Sequence, residues 1–147
     1  MERPDDDLAG GDARTLSFAS YRIDPALLDR VLGYQRTLIH ELRDGWSPAA
    51  MASAHRLALA SSGLAQDVVE RALAVVRRFA GNRDVARRLR ERAASVDAER
   101  AGELEERLAA LDRELRERDD PATVDLLLER EPEVLEVHRR LSQVLGS

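Results

Sequence analysis

The amino-acid sequence predicts an all-α fold, with helical hairpins or a bundle of about five to seven helices and one long charged helix or helix pair in the second half. Ala, Leu, Arg and Glu, which favour helices, dominate the 147 residues. Apolar residues recur at three- and four-residue steps, and no segment alternates as a strand does. The turns between these segments are short, so consecutive helices are expected to pack antiparallel.

The chain divides into a tail and one domain. Residues 1–23 are predicted to be a disordered or strap-like N-terminal tail, because the acidic run Asp5–Asp7 and its neighbours offer few apolar groups to bury. Within it, residues 16–23 could lie on the body as an extended strap. Residues 24–147 are predicted to form a single all-helical domain, since the chain is 44% apolar and long enough for one core.

Helix starts and stops are readable in the first half. Asp24-Pro25 and Ser47-Pro48 each combine an N-cap residue with proline at the first helical position, so each predicts a helix start. Gly63 is expected to end the second helix. Gly81-Asn82 is expected to close the third helix and cap the next one.

The second half contains a long segment without proline. Residues 83–118 are compatible with one helix or with two, and a break is favoured at Ser95–Asp97, where Asp97 can act as an N-cap. Asp120-Pro121 predicts a further helix start, and Pro132 predicts a kink or a restart before the last helix. Two apolar stripes run through the long segment, slightly out of phase: Val85, Leu89, Ala93 and Val96, then Leu104, Leu108, Leu111 and Leu115.

The second stripe has the 4-3-4 spacing of a coiled coil. It is compatible with a coiled-coil contact to another chain, but two heptads also suit a helix buried within the same chain. The second interpretation is favoured.

Composition excludes several classes of chemistry. The net charge of −5 argues against a dedicated nucleic-acid binder. The absence of cysteine excludes disulfides and zinc sites built on thiolates. No segment has the roughly 20 apolar residues of a membrane span, and the first residues lack the apolar core of a signal peptide, so we expect no membrane partner and a cytoplasmic location. All 23 basic residues are Arg, which indicates GC-rich coding and a bacterial source.

No catalytic, cofactor-binding or metal-binding residue is predicted. None of His40, His55 and His138 has a Glu three residues before it, as di-iron bundles require. His40-Glu41 begins like a zinc-protease helix, but Asp44 stands where the second histidine is needed. Nucleophile-elbow and phosphate-loop motifs are missing as well. The prediction therefore leans away from an enzyme.

A basic strip, residues 77–92, is the one candidate contact surface. It holds seven Arg against two acidic residues, whereas residues 97–120 hold ten acidic residues against five Arg. The residues predicted to contact an anion or a partner are Arg83, Arg87, Arg88, Arg90 and Arg92. The alternative, which is favoured, is that the basic segment packs alongside the acidic one within the fold.

The sequence therefore predicts a non-enzymatic helical interaction module: an adaptor, accessory or regulatory subunit that acts through helix surfaces on a protein partner or a second copy. One alternative is a helical bundle that senses a small apolar or anionic ligand in a cavity between helices. Another is a nucleic-acid-associated protein that uses the Arg77–Arg92 strip, which is possible but not favoured.

Overall fold

The computed structural model describes residues 21–146, and over that range the chain forms six α-helices and no strand. The predicted all-α fold of about six helices is thereby confirmed. The helices are α1 (Pro25–Glu41), α2 (Pro48–Ser62), α3 (Gln66–Ala93), α4 (Ala98–Arg118), α5 (Pro121–Glu129) and α6 (Glu131–Val144). None of these helices is long and apolar enough to cross a lipid bilayer.

Local capping chemistry sets most helix boundaries. The side chains that accept a hydrogen bond from the backbone N–H three residues ahead, over 2.7–3.1 Å, belong to Asp24, Ser47, Asp97 and Asp120. Gly63 ends α2 with φ +69°, as expected for a left-handed C-terminal glycine. Pro132 lies in the first turn of α6, which begins directly after α5. The helix starts predicted at Asp24-Pro25, Ser47-Pro48, Asp97 and Asp120-Pro121 are confirmed.

The predicted boundary at Gly81-Asn82 is wrong, because α3 continues through both residues to Ala93. The Asn82 side chain does not cap a helix; its Nδ2 donates to the backbone carbonyl of Leu111 in α4, 2.9 Å away. A glycine inside a helix costs about 1 kcal/mol relative to alanine, which packing on either side outweighs. The buried side chains on the two sides are Phe79, Ala80, Arg83 and Ala86. The break comes at residues 94–97, so the long charged segment is a helix pair.

The core forms around α1. Leu28, Val31 and Leu32 on this helix are fully buried, and α1 packs against α2, α3 and α6. The segment before α1 joins this core as well: Ile23 is buried, and its N–H donates to Thr123 Oγ1 of α5 over 2.8 Å. Residues 1–20, which make up most of the predicted tail, lie outside the described residues.

The second half of α3 and most of α4 form a separate feature. α4 packs against α3 and meets α5 near its end. The main core includes Leu115 of α4, but the buried side chains of Ala86 and Leu104 lie outside it. We call residues 84–111 the arm and the rest of the described helices the body.

Candidate functional site

The predicted contact residues divide into three groups according to their surroundings. Arg83 is only 6% exposed, and its Nε donates to Glu131 Oε1 at the start of α6 over 3.0 Å. This arginine therefore ties α3 to α6 and presents little of its guanidinium to a partner. Arg83 thus lies outside the candidate surface.

Arg87 and Arg88 are partly neutralised by their own helix. Arg87 lies 3.0 Å from both Asp84 and Glu91, and Arg88 lies 2.7 Å from the second oxygen of Asp84. The hydrogen bond from Arg87 lowers the pKa of the Asp84 carboxyl, so this residue stays charged. The side chain of Arg88 nevertheless remains mostly exposed.

Arg90 and Arg92 carry unpaired positive charge at the end of the strip. Both are exposed in the last turn of α3, and neither forms an ion pair with any described residue. The carboxyl end of a helix favours cations, which keeps this charge in place. One strip residue, Arg78, does reach the acidic segment, since its Nη2 lies 2.7 Å from Asp119 just after α4.

An apolar groove follows the contact between α3 and α4. Its two parts hold about 280 and 340 Å³ and share Val85, Leu111 and Glu114, so they form one continuous groove. Val85 at its centre is 43% exposed. The other residues that line the groove are Arg78, Gly81, Asn82, Leu89, Arg107, Ala110, Leu115, Arg118 and Asp119.

The two apolar stripes explain how the groove arises. Leu104 and Leu115 of the second stripe are buried against the neighbouring helix, while Leu108 and Leu111 are half-buried. Sequence reasoning identified both stripes but not the groove. The signal was the phase difference between them, because one of two out-of-phase stripes has to show part of its apolar face to solvent.

A second cleft, of about 700 Å³, lies between α1 and α2. Its lining contains no large apolar side chain, and Thr37 Oγ1 lies 3.3 Å from Ser61 Oγ within it. This lining differs from the mainly apolar pocket that a sensor of a small apolar ligand requires.

The three histidines lie on three different helices. Tyr34 and His55 share a hydrogen bond of 2.6 Å, and burial raises the pKa of the Tyr34 hydroxyl. Burial lowers the pKa of His138 on α6, while His40 is exposed near the end of α1. Within residues 21–146, no group of three or more histidine and carboxylate side chains could hold a metal ion.

Comparison of the chain with protein-family models, with curated proteins and with solved structures finds no match. A function for the chain therefore has to be inferred from the geometry of the arm and its groove.

Proposed function

We propose that the protein is a non-enzymatic helical interaction module, an adaptor, accessory or regulatory subunit that binds a protein partner through the arm. The observation that supports this is the groove between α3 and α4, where Val85, Leu89 and Leu111 leave apolar surface accessible. A groove with an apolar floor and a charged rim is the form that recognition of a partner helix takes. The expected cytoplasmic location is part of this proposal.

The chemistry of the groove suggests how binding energy and specificity are divided. Covering a half-exposed aliphatic side chain contributes about 1 kcal/mol, so the floor supplies affinity. The rim carries exposed Arg107, Glu114 and Arg118, whose charges discriminate between partners and accelerate encounter more than they raise affinity. We therefore expect binding to survive high salt but to fail when the floor becomes charged.

Affinity capture from a lysate of the source cells tests this function. We expect the wild-type chain to retain a discrete protein at low and at high salt, and Val85→Glu to lose it. Leu57→Glu is the matched control, because Leu57 on α2 is a similarly exposed aliphatic residue, 48% against 43%. Equal capture by both variants, or turnover of a substrate by the purified chain alone, would contradict the proposal.

Exposed Arg88, Arg90 and Arg92 near the end of α3 favour a second candidate, binding of nucleic acid. Such binding would weaken steeply with salt, because each neutralised phosphate releases a counterion. Fluorescence anisotropy with labelled RNA and DNA should then show affinity that falls with salt and is lost in the triple change of Arg87, Arg88 and Arg90 to Glu. Affinity that responds to neither change eliminates this candidate.

A further inference from the structure

We infer that the partner of the arm is a second copy of this chain, and that two arms pack groove to groove into a four-helix bundle. This inference deepens the proposed function and rests on it. The groove runs along the arm and continues onto the body at Gly81, Asn82 and Leu115.

The arm buries few apolar side chains of its own. Ala86 and Leu104 are the two buried apolar residues among its residues 84–111, all of which are described. Val85, Leu89 and Leu111 stay partly exposed on the groove side. Helices gain most of their stability from tertiary packing, and a two-helix hairpin gives each helix only one neighbour. A second hairpin on the groove supplies the missing neighbours and produces the usual antiparallel four-helix bundle.

The charge of the two helices selects a second copy and its orientation. Residues 77–92 carry seven Arg and two acidic residues, and residues 97–120 carry ten acidic residues and five Arg. A two-fold axis parallel to the arm places α3 of each copy over α4 of the other, so every neighbouring pair of helices joins a basic to an acidic one. An axis across the arm would place like charges together, which is disfavoured.

Individual charges match in this arrangement. The hydrogen bond from Asn82 to the Leu111 carbonyl fixes the register of α3 against α4, and each residue advances by about 1.5 Å. Rotation about an axis parallel to the arm keeps every residue at its own level. Two oppositely charged pairs then lie at matching levels of the two copies, within about one helical turn of about 5 Å: Arg78 with Glu114, and Arg92 with Glu103.

Sedimentation velocity of the full chain over a concentration series is the first test. We expect the wild type to form a dimer, Val85→Glu to be monomeric, and Leu57→Glu to remain dimeric. Circular dichroism should show similar helix content in all three, since both substituted side chains are substantially exposed. A wild type that stays monomeric at its highest soluble concentration, or a dimer that survives Val85→Glu, overturns the inference.

A charge exchange then tests the orientation. Arg92→Glu and Glu103→Arg should each weaken self-association about tenfold, because each variant places two like-charge contacts in its own dimer. An equimolar mixture should recover wild-type association, since every introduced charge then faces its opposite in the other variant. An effect within one chain cannot produce this recovery, so a mixture that stays as weak as its components overturns the arrangement of α3 over α4.

The two proposals can fail separately. A monomeric wild type that still captures a different protein through Val85 overturns the inference of a second copy and supports the interaction module. A dimer that depends on Val85 and shows the charge exchange supports both.

Discussion

The body and the arm are built from the same kinds of residue but differ in how they bury them. In the body, α1 contacts three other helices, and a row of its aliphatic side chains is fully buried. In the arm, α3 and α4 have mainly each other, and Val85 at their contact remains 43% exposed. A helix with one neighbour cannot bury a wide apolar face. The comparison therefore assigns folding stability to the body and association to the arm.

The largest expected effect is the loss of stability when a core side chain of the body is truncated, compared with truncation of a side chain in the arm. Phe79→Ala should lower the free energy of unfolding by about 3–5 kcal/mol, because the ring is fully buried and its loss leaves a cavity. Leu108→Ala in the arm should cost less than about 1.5 kcal/mol, since that side chain is already half-exposed. Urea denaturation at a fixed protein concentration measures both. Equal losses would contradict the division of stability.

A second prediction concerns the ion pair that joins α3 to α6 at the base of the arm. Glu131→Gln should lower the free energy of unfolding by about 2–3 kcal/mol, because it leaves the nearly buried Arg83 guanidinium without its carboxylate. Arg83→Met should cost less, since it removes the buried charge and keeps an apolar side chain of similar length. Urea denaturation of the two variants compares them. A larger loss in Arg83→Met would show that the pair itself stabilises the fold.

Some features of the fold could be predicted from the sequence alone, and others could not. The caps at Asp24, Ser47 and Asp97 were predictable, because a cap involves residues only three apart. The wrong boundary at Gly81 has a non-local cause, because the helix is held there by side chains buried against other helices. The burial of Arg83 likewise depends on where α6 lies, which no local pattern specifies.

The groove shows the same limit within the candidate site. Its apolar residues were visible as two stripes, but their exposure depends on how α3 and α4 are rotated against each other. The all-α class was predictable because helical periodicity belongs to each segment separately. The pairing of charges across helices was not predictable, because it requires the register of α3 against α4. The hydrogen bond between Asn82 and Leu111 establishes that register.

A third prediction uses two glycines to separate folding from association. Gly81 in α3 and Gly102 in α4 both lie inside helices, and an added Cβ would meet no atom within 4 Å. Each change to Ala should therefore raise the free energy of unfolding by about 0.5–1 kcal/mol. Gly81 lines the groove and Gly102 does not, so Gly81→Ala alone should weaken self-association. Thermal denaturation and sedimentation together measure this, and equal association of the two variants would contradict the role of the groove.

The smallest expected effect is a pH dependence of the free energy of unfolding. It arises from His138, where α6 meets the base of the arm. Burial lowers the pKa of His138 below 6.5, with Arg77 and Arg139 acting in the same direction and Asp84 opposing them. The unfolded chain therefore binds a proton on His138 more readily than the folded chain does. The stability that the neutral His138 contributes is present above pH 6.5 and is lost as the pH falls through the folded-state pKa. The loss should stay below about 1 kcal/mol, since the side chain is partly open to water.

His138→Gln should flatten this dependence, because glutamine stays neutral at every pH in the range. The measurement is the free energy of unfolding by urea at pH 7.5 and at pH 5.5, for the wild type and the variant. The carboxyls of Asp84, Asp120 and Glu133 also have lowered pKa values, but their stabilisation is lost only as the pH falls below their ordinary values, 3.8 for the two aspartates and 4.5 for Glu133. A variant with the wild-type slope between the two pH values would show that His138 does not couple protonation to the packing of α6.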